Sequence, residues 1–275
     1  MLFRSYTITG ADAASYTLTQ PSLSADITAV DLTATVTVNG RTYDGTTGAT
    51  IASCTLTGVV GTEDVTCDAA DATATFASPH AGTRSVSITG LSLAGADAGN
   101  YTLASSATAS ATIATRPITV TAATDTKPYD GTTSSSGTPT ITTGSLATGD
   151  SATWTQSFDT KAVGTGKTLT PAGSVTDGNA GADYAVTFVT ATGSITAKAL
   201  TVTGATAADR TYNGLATASV DVTGAALSGV VDGDAVTLVT TGVTGAFPDK
   251  AVGVARTVTL DRKSTRLNSS HSSVS

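Results

Sequence analysis

Three stretches of this chain place a tyrosine, an aspartate or asparagine, and a glycine side by side behind a basic residue. They are Arg41-Thr42-Tyr43-Asp44-Gly45, Lys127-Pro128-Tyr129-Asp130-Gly131 and Arg210-Thr211-Tyr212-Asn213-Gly214. A phenol next to a carboxylate could hold a polar ligand or pass a proton. The third copy weighs against both uses. Asn213 can neither act as a general acid nor carry a negative charge, yet Asn-Gly and Asp-Gly make the same turn. The reading is therefore structural: the Asp or Asn and the Gly form a turn, and the tyrosine packs over the end of a folding unit.

Other residues with chemical potential are few. His80 is the only histidine outside the segment 261–275, and it occurs where the later copies carry Lys161 and Lys250. Such a position is expected to be a solvated loop. No Ser–His–Asp or Cys–His set can be assembled around one unrepeated histidine, so no catalytic residue is assigned and the chain is expected not to be an enzyme. Asp177-Gly178-Asn179 with Asp183, and Asp232-Gly233-Asp234, offer oxygen ligands of the kind Ca²⁺ uses. Neither spells an EF-hand loop or a nonapeptide repeat, and Asp-Gly in a β-rich chain is ordinarily a turn. No cofactor is expected, Ca²⁺ being the one weak candidate. Cys54 and Cys67 lie opposite each other if the chain folds back about Val60-Gly61 as a hairpin. In an oxidising compartment they would form a cross-strand disulfide; the alternative is two free thiols. Two cysteines with a single distant histidine make no zinc site.

These residues recur on a domain-sized period. Tyr43, Tyr129 and Tyr212 lie 86 and 83 residues apart, which marks a tandem array. A second phrase keeps step: Gly10-Ala11-Asp12-Ala13-Ala14-Ser15-Tyr16 returns as Gly95-Ala96-Asp97-Ala98-Gly99-Asn100-Tyr101 and, contracted, as Gly181-Ala182-Asp183-Tyr184. Apolar residues make up 40% of the chain and charged residues 13%. That balance argues against disorder, which goes with low hydrophobicity and high net charge. Threonine alternates with valine and no 3.6-residue apolar stripe appears, so the elements are strands with one face buried. The formal charge of −7 with no basic cluster speaks against binding a phosphate backbone. No apolar run is long enough to span a bilayer as a helix.

The period divides the chain into the closing half of a repeat (1–29), two complete repeats (30–115 and 116–198), and a repeat lacking its last strand or two (199–260). That last repeat is expected to be the least stable, because it leaves a ladder edge unpaired. The sequence is expected to begin inside a repeat and to be a piece of something longer. Residues 261–275 break the composition and resemble a translated sequencing adapter, so they are set apart as non-native. In the first complete repeat strands are expected at 32–38, 50–57, 64–76 (bulged) and 85–89, with one long final strand from Tyr101 to Ile113. The second is expected to follow suit, with Ile118–Thr121 opening it and Lys167–Thr170 forming an inner strand. About six strands in 85 residues predict an all-β fold of small, immunoglobulin-like β-sandwiches in an elongated array. The phrase Asp97 to Tyr101 resembles the tyrosine corner of such sandwiches, in which the hydroxyl bonds back to nearby backbone. A β-grasp unit is the alternative, and it would need a helix that the sequence does not show.

Tyr-Asp-Gly-Thr-Thr near the start of a repeat, with Gly-Ala-Asp-x-x-Asn-Tyr near its end, resembles the YDG repeats of filamentous-haemagglutinin-like and related large secreted bacterial adhesins. The resemblance covers residues 1–260, departing at Asn213 and at the contracted Asp183-Tyr184. It implies an extracellular or cell-surface location and a non-catalytic stalk role, with neighbouring repeats of the same chain as partners. Two alternatives stand beside it: a module that binds a host glycan or protein, and the stalk of a larger exoenzyme. Trp154, the only unrepeated aromatic of note, would be the anchor of a binding module.

Overall fold

Alternating Thr and Val or Leu residues set the first strand. In β1 (Val30–Val38) Leu32 and Val36 are buried while the intervening threonines face outward. The computed structural model describes residues 6–262. It divides into two compact units: Met1–Arg116 with Leu146–Ser151 and Thr176–Ala185, and Pro117–Ser145 with Ala152–Val175 and Val186–Ser275. The turns 146–151 and 176–185 of the second repeat thus belong with the first.

In the first unit β1 is followed by β2 (Arg41–Thr42), β3 (Gly48–Ala49), β4 (Ile51–Thr57), β5 (Thr66–Asp68), β6 (Thr73–Phe76), β7 (Gly82–Thr89), β8 (Ser92–Ala94), β9 (Tyr101–Leu103) and β10 (Ser106–Ala114). One sheet has the order β4-β1-β9 and the other β2-β10-β7-β6-β3, with β5 and β8 pairing separately. Leu32 and Val36 from the first sheet, with Phe76, Val86, Ile88 and Ile113 from the second, are buried. Two inward faces of alternating apolar residues make a sandwich.

The expected long strand from Tyr101 to Ile113 is two strands. β9 runs parallel to β1, pairing Tyr101 with Val30, whereas β10 crosses to the other sheet and pairs antiparallel with β7 and parallel with β2. The break at Ala104-Ser105 lets one segment stitch both sheets, which an alternation pattern cannot reveal because it continues unbroken across the switch. The expected 64–76 segment likewise divides into β5 and β6. Residues 6–29 contain no strand, but the 3₁₀ turn at Ala13–Ser15 repeats the backbone of the turn at Ala98–Asn100, with φ −100° and ψ 5° at both Asp12 and Asp97.

Cys54 on β4 and Cys67 on β5 are joined by a disulfide, Cα atoms 5.8 Å apart. Their strands do not pair as a hairpin, contrary to the expectation: β4 pairs with β1 and β5 with β8. The bond therefore ties the small β5–β8 ribbon to the main sheet. Closing a loop with a sequence separation of 13 restricts the unfolded chain. Reduction should destabilise the first unit by roughly 2–4 kcal/mol. Calorimetry with and without reductant checks this, and an unchanged first transition would contradict it.

The second unit holds most of β11 (Arg116–Thr121), β12 (Thr126–Pro128), β13 (Thr140–Thr143), β14 (Ser151–Phe158), β15 (Gly164–Thr176), β16 (Tyr184–Val189) and β17 (Ala191–Thr196). Its sheets have the orders β13-β11-β16 and β12-β17-β15-β14, the plan of the first repeat with a longer inner strand than expected. Ala122, Phe158, Leu169 and Ile195 form the buried cluster. Gly193 is required by space there: a Cβ would lie 2.8 Å from both Leu169 Cδ1 and Phe158 Cε1.

The third repeat supplies β18 (Thr201–Thr203), β19 (Thr206–Ala207), β20 (Thr217–Ala218), β21 (Val220–Asp221), β22 (Ala226–Ser228), β23 (Val243–Ala246) and β24 (Thr259–Arg262). These strands are short, and Leu200, Val202, Leu215 and Val239 are exposed. Asp261 and Arg262, set apart above as adapter-like, pair with Thr244 and Val243; the rest of that segment lies outside the described residues. The fold is all-β. Among the described residues the only helices are the two 3₁₀ turns, so the helix a β-grasp unit requires is not found there.

Candidate functional site

The Tyr-Asp-Gly turn is built the same way three times. Asp44 Oδ1 accepts from the Thr46 amide at 2.8 Å, Asp130 Oδ1 from Thr132 at 2.9 Å, and Asn213 Oδ1 from Leu215 at 3.0 Å. This is the Asx turn that Asp and Asn make equally well. Gly45, Gly131 and Gly214 follow at φ 81°, 80° and 77°, a region that glycine enters without Cβ strain. The basic residue that opens the phrase closes over the turn. Arg41 donates to Asp44 Oδ2 and to the Thr46 carbonyl, Lys127 to Asp130 Oδ1 and the Thr132 carbonyl, and Arg210 to Asn213 Oδ1 and the Leu215 carbonyl.

Each cation also rests on a phenylalanine ring that sequence reasoning did not single out. Arg41 lies 5.3 Å from the Phe76 centroid, Lys127 5.7 Å from Phe158, and Arg210 5.4 Å from Phe247, within cation–π range. The amides of these phenylalanines bond to Thr47 O, Thr133 O and Ala216 O. A Phe recurring 31 to 37 residues after each cation was the available signal, diluted by unequal spacing.

The tyrosines divide. Tyr43 is 2% exposed, Tyr129 half-buried and Tyr212 60% exposed. Within the first unit the Tyr43 hydroxyl points to Asp150 Oδ1 at 3.5 Å, and the ring stands edge-on to Tyr184 at 5.5 Å. Within the second unit the Tyr129 hydroxyl donates to Asp234 Oδ1 at 3.1 Å. Both acceptors sit at the end of a four-residue turn in the following repeat, Ala147–Asp150 and Val231–Asp234.

The tyrosines near the repeat ends use the same kind of turn inside their own repeat. Tyr101 accepts from the Val60 amide at 3.0 Å and donates to Glu63 Oε2 at 2.6 Å. Tyr184 accepts from Ala147 at 2.8 Å and donates to Asp150 Oδ2 at 2.5 Å. Asp97 bridges back to the same loop, its Oδ2 accepting from the Asp64 amide at 2.9 Å.

Asp183, in the position of Asp97, does something else. It is fully buried. Oδ1 accepts from the Ala81 amide at 2.7 Å and from Asn179 Nδ2 at 2.9 Å, while Oδ2 lies 2.7 Å from His80 Nδ1. The expectation of a solvated loop at His80 is thus corrected: its side chain is only 29% exposed. Its partner comes from a turn 103 residues away, which local sequence cannot show.

Burial pushes the Tyr184 phenol up to about 12 from the ordinary 10.0, with the Asp150 carboxylate adding to it. Burial also raises Tyr43, while the bonds to Glu63 and Asp234 raise Tyr101 and Tyr129. The Lys127 bond, with the Thr132 amide and hydroxyl, lowers Asp130 to about 2. For Asp44 and Asp177 burial opposes the shift, but the Thr46 amide and the Gly181, Asn179 and Asp183 amides outweigh it and both fall.

A raised folded tyrosine value gives stability that is full below about pH 10 and lost as pH climbs toward about 12. A lowered aspartate value gives stability that is full above about pH 4 and lost as pH falls toward about 2. Urea midpoints should therefore form a plateau between those limits and drop on both sides. A midpoint unchanged between pH 9 and pH 12, set here as roughly the span of phenol ionisation, would refute the tyrosine half.

Asp177 Oδ1 accepts the amides of Asn179 and Gly181, and Oδ2 that of Asp183. Among the described residues no three His, Cys, Asp or Glu side chains gather as a metal site would require. Trp154 is half-buried and stands edge-on to Phe188 at 5.9 Å. No helix of the described residues is long and apolar enough to cross a membrane.

Comparison with known proteins returns one family. Neither the curated proteins nor the solved structures gave a match. The model of the YDG domain matches residues 28–110, 114–193 and 196–270. The three matches follow the three clamped turns, and the chain belongs to the YDG-domain family as a tandem array of its repeats.

Proposed function

We propose that this chain is a structural, non-catalytic repeat region of a bacterial surface-exposed or secreted adhesin. The observation that carries this reading is where the tyrosine hydroxyls go. Tyr43 and Tyr129 reach acidic turns of the next repeat, so the family's signature tyrosine fastens repeat to repeat. The other motif residues are also engaged internally, the acid or amide by the basic residue and the glycine by the turn. Such nearest-neighbour fastening suits a protein that carries load or holds distance.

Pulling the chain end to end tests this. With the Cys54–Cys67 disulfide reduced, each complete repeat of 83–86 residues should unfold in one step that releases about 280 Å of chain. Smooth extension without steps would sink the mechanical reading. Antibodies against the chain should label intact cells that express it; labelling only after lysis would sink the location.

One observation favours a binding module as the second reading: Phe188, beside Trp154, is 42% exposed, which leaves an aromatic edge open to a sugar ring. Trp154→Ala would then abolish binding on a glycan array while leaving the pulling steps unchanged.

A further inference from the structure

The second repeat carries three polar residues that its sister repeats lack. Asp125 lies four residues before Tyr129, Ser135 six residues after it, and Gln156 two residues before Phe158. The same places hold Asn39, Ala49 and Ala74 in the first repeat, and Ala208, Ala218 and Gly245 in the third. Both sisters build the clamped turn without these side chains, so the turn itself does not call for them.

In the second unit the three side chains meet. Gln156, on β14, is only 6% exposed. Its Oε1 accepts from the Ala123 amide at 2.8 Å, while Nε2 donates to the Ala123 carbonyl at 2.8 Å and to Ser135 Oγ at 2.9 Å. Ser135 Oγ in turn donates to Asp125 Oδ2 at 2.6 Å. Gly137 closes over the pair: its amide donates to Ser135 Oγ at 3.2 Å, and a Cβ there would collide with Gln156 Nε2. The Ser135 bond holds the Asp125 carboxyl below its usual range against some burial, helped by the amides of Ser136, Gly137 and Thr126. Asp125 is therefore an ionised acceptor at neutral pH.

A hydroxyl aimed at a carboxylate, lying against a carboxamide whose oxygen is held by a backbone N–H, is an arrangement for acyl transfer. We propose that Ser135 and Gln156 become joined by an ester that the chain forms once, on itself. Ser135 Oγ attacks Gln156 Cδ while its proton passes to Asp125 Oδ2, and the Ala123 amide holds the charge developing on Oε1. Asp125 then gives the proton to Nε2, the Cδ–Nε2 bond breaks, and ammonia leaves. One Oγ–Cδ bond replaces one C–N bond, nothing is oxidised or reduced, and Asp125 ends as it began. Protonation and dilution of the ammonia draw the exchange forward, and the burial of Gln156 keeps water from the product.

The bond ties the loop after β12 to β14. The second repeat has no cysteine, so this is a covalent tie that needs no oxidant. Pulled as above, the linked repeat releases about 70 Å less than the unlinked length, because a sequence separation of 21 is held out of the extension. The proposal does not depend on the adhesin reading.

Mass spectrometry of the purified full chain tests it. The intact mass should fall short of the sequence by one ammonia, beyond the two hydrogens lost at the Cys54–Cys67 disulfide. Chymotrypsin cuts after Tyr129, Trp154 and Phe158, which separates Ser135 from Gln156; the two peptides should nevertheless emerge as one branched species. Ser135→Ala should restore the ammonia and part the peptides. Asp125→Asn keeps an acceptor for the hydroxyl but removes the base, and should do the same. A wild-type chain whose two peptides emerge separately overturns the proposal, even if ammonia has been lost at Asn39-Gly40 or Asn213-Gly214. Linkage that persists in Ser135→Ala also overturns it, and linkage that persists in Asp125→Asn overturns the part given to Asp125.

Discussion

Asp183→Ala should destabilise the first unit by about 3–5 kcal/mol, the range found when one partner of a buried pair is removed. The carboxylate is fully buried and holds three donors at once: the Ala81 amide, the Asn179 amide group and His80. Alanine leaves all three without an acceptor, and an orphaned buried donor costs more than its hydrogen bond contributed. Asp183→Asn keeps one acceptor oxygen and should lose about half as much. His80→Ala should lose least, because that side chain is part-exposed and water can replace it. Urea unfolding of the three variants checks the order. A loss under about 1 kcal/mol for Asp183→Ala would mean that water enters and satisfies the stranded donors.

Phe158→Ala should be comparably severe, about 3–5 kcal/mol. The ring is 3% exposed, packs with Ala122, Leu169 and Ile195, and supports the Lys127 ammonium from below. Its removal opens a cavity and also loosens the clamp over Asp130. Phe158→Leu fills most of the space but offers no π face, so the difference between the two variants isolates the packing, and the loss that remains in Phe158→Leu contains the cation's share, about 0.5–1 kcal/mol. Trp154, the single tryptophan, lies on the same strand and reports unfolding of this unit directly. Equal losses for Ala and Leu would remove the packing argument.

The all-β class and the tandem repetition were legible in the sequence because threonine–valine alternation and a two-phrase period are local signals. The sequence also showed that Asp44, Asp130 and Asn213 are turn residues, since Asn for Asp is tolerated where only an acceptor oxygen is needed. What it could not show were contacts whose halves belong to different repeats. Asp150 was not singled out and Asp234 read as part of an ordinary Asp-Gly turn, and their bonds to Tyr43 and Tyr129 span 107 and 105 residues. His80 was misread for the same reason, its likeness to Lys161 and Lys250 concealing a partner in a distant turn. The switch between β9 and β10 escaped because a strand that changes sheets at Ala104-Ser105 keeps its alternation.

Asp150 receives Tyr184 from its own repeat and Tyr43 from the one before. A repeat thus contributes one tyrosine forward and offers one acid backward, which makes repeats interchangeable parts. If recombination deletes or duplicates a stretch equal to one period, every junction in the new array still joins a tyrosine to an acid, wherever in the period the crossover falls. Array length can therefore drift between generations without any junction having to be reinvented.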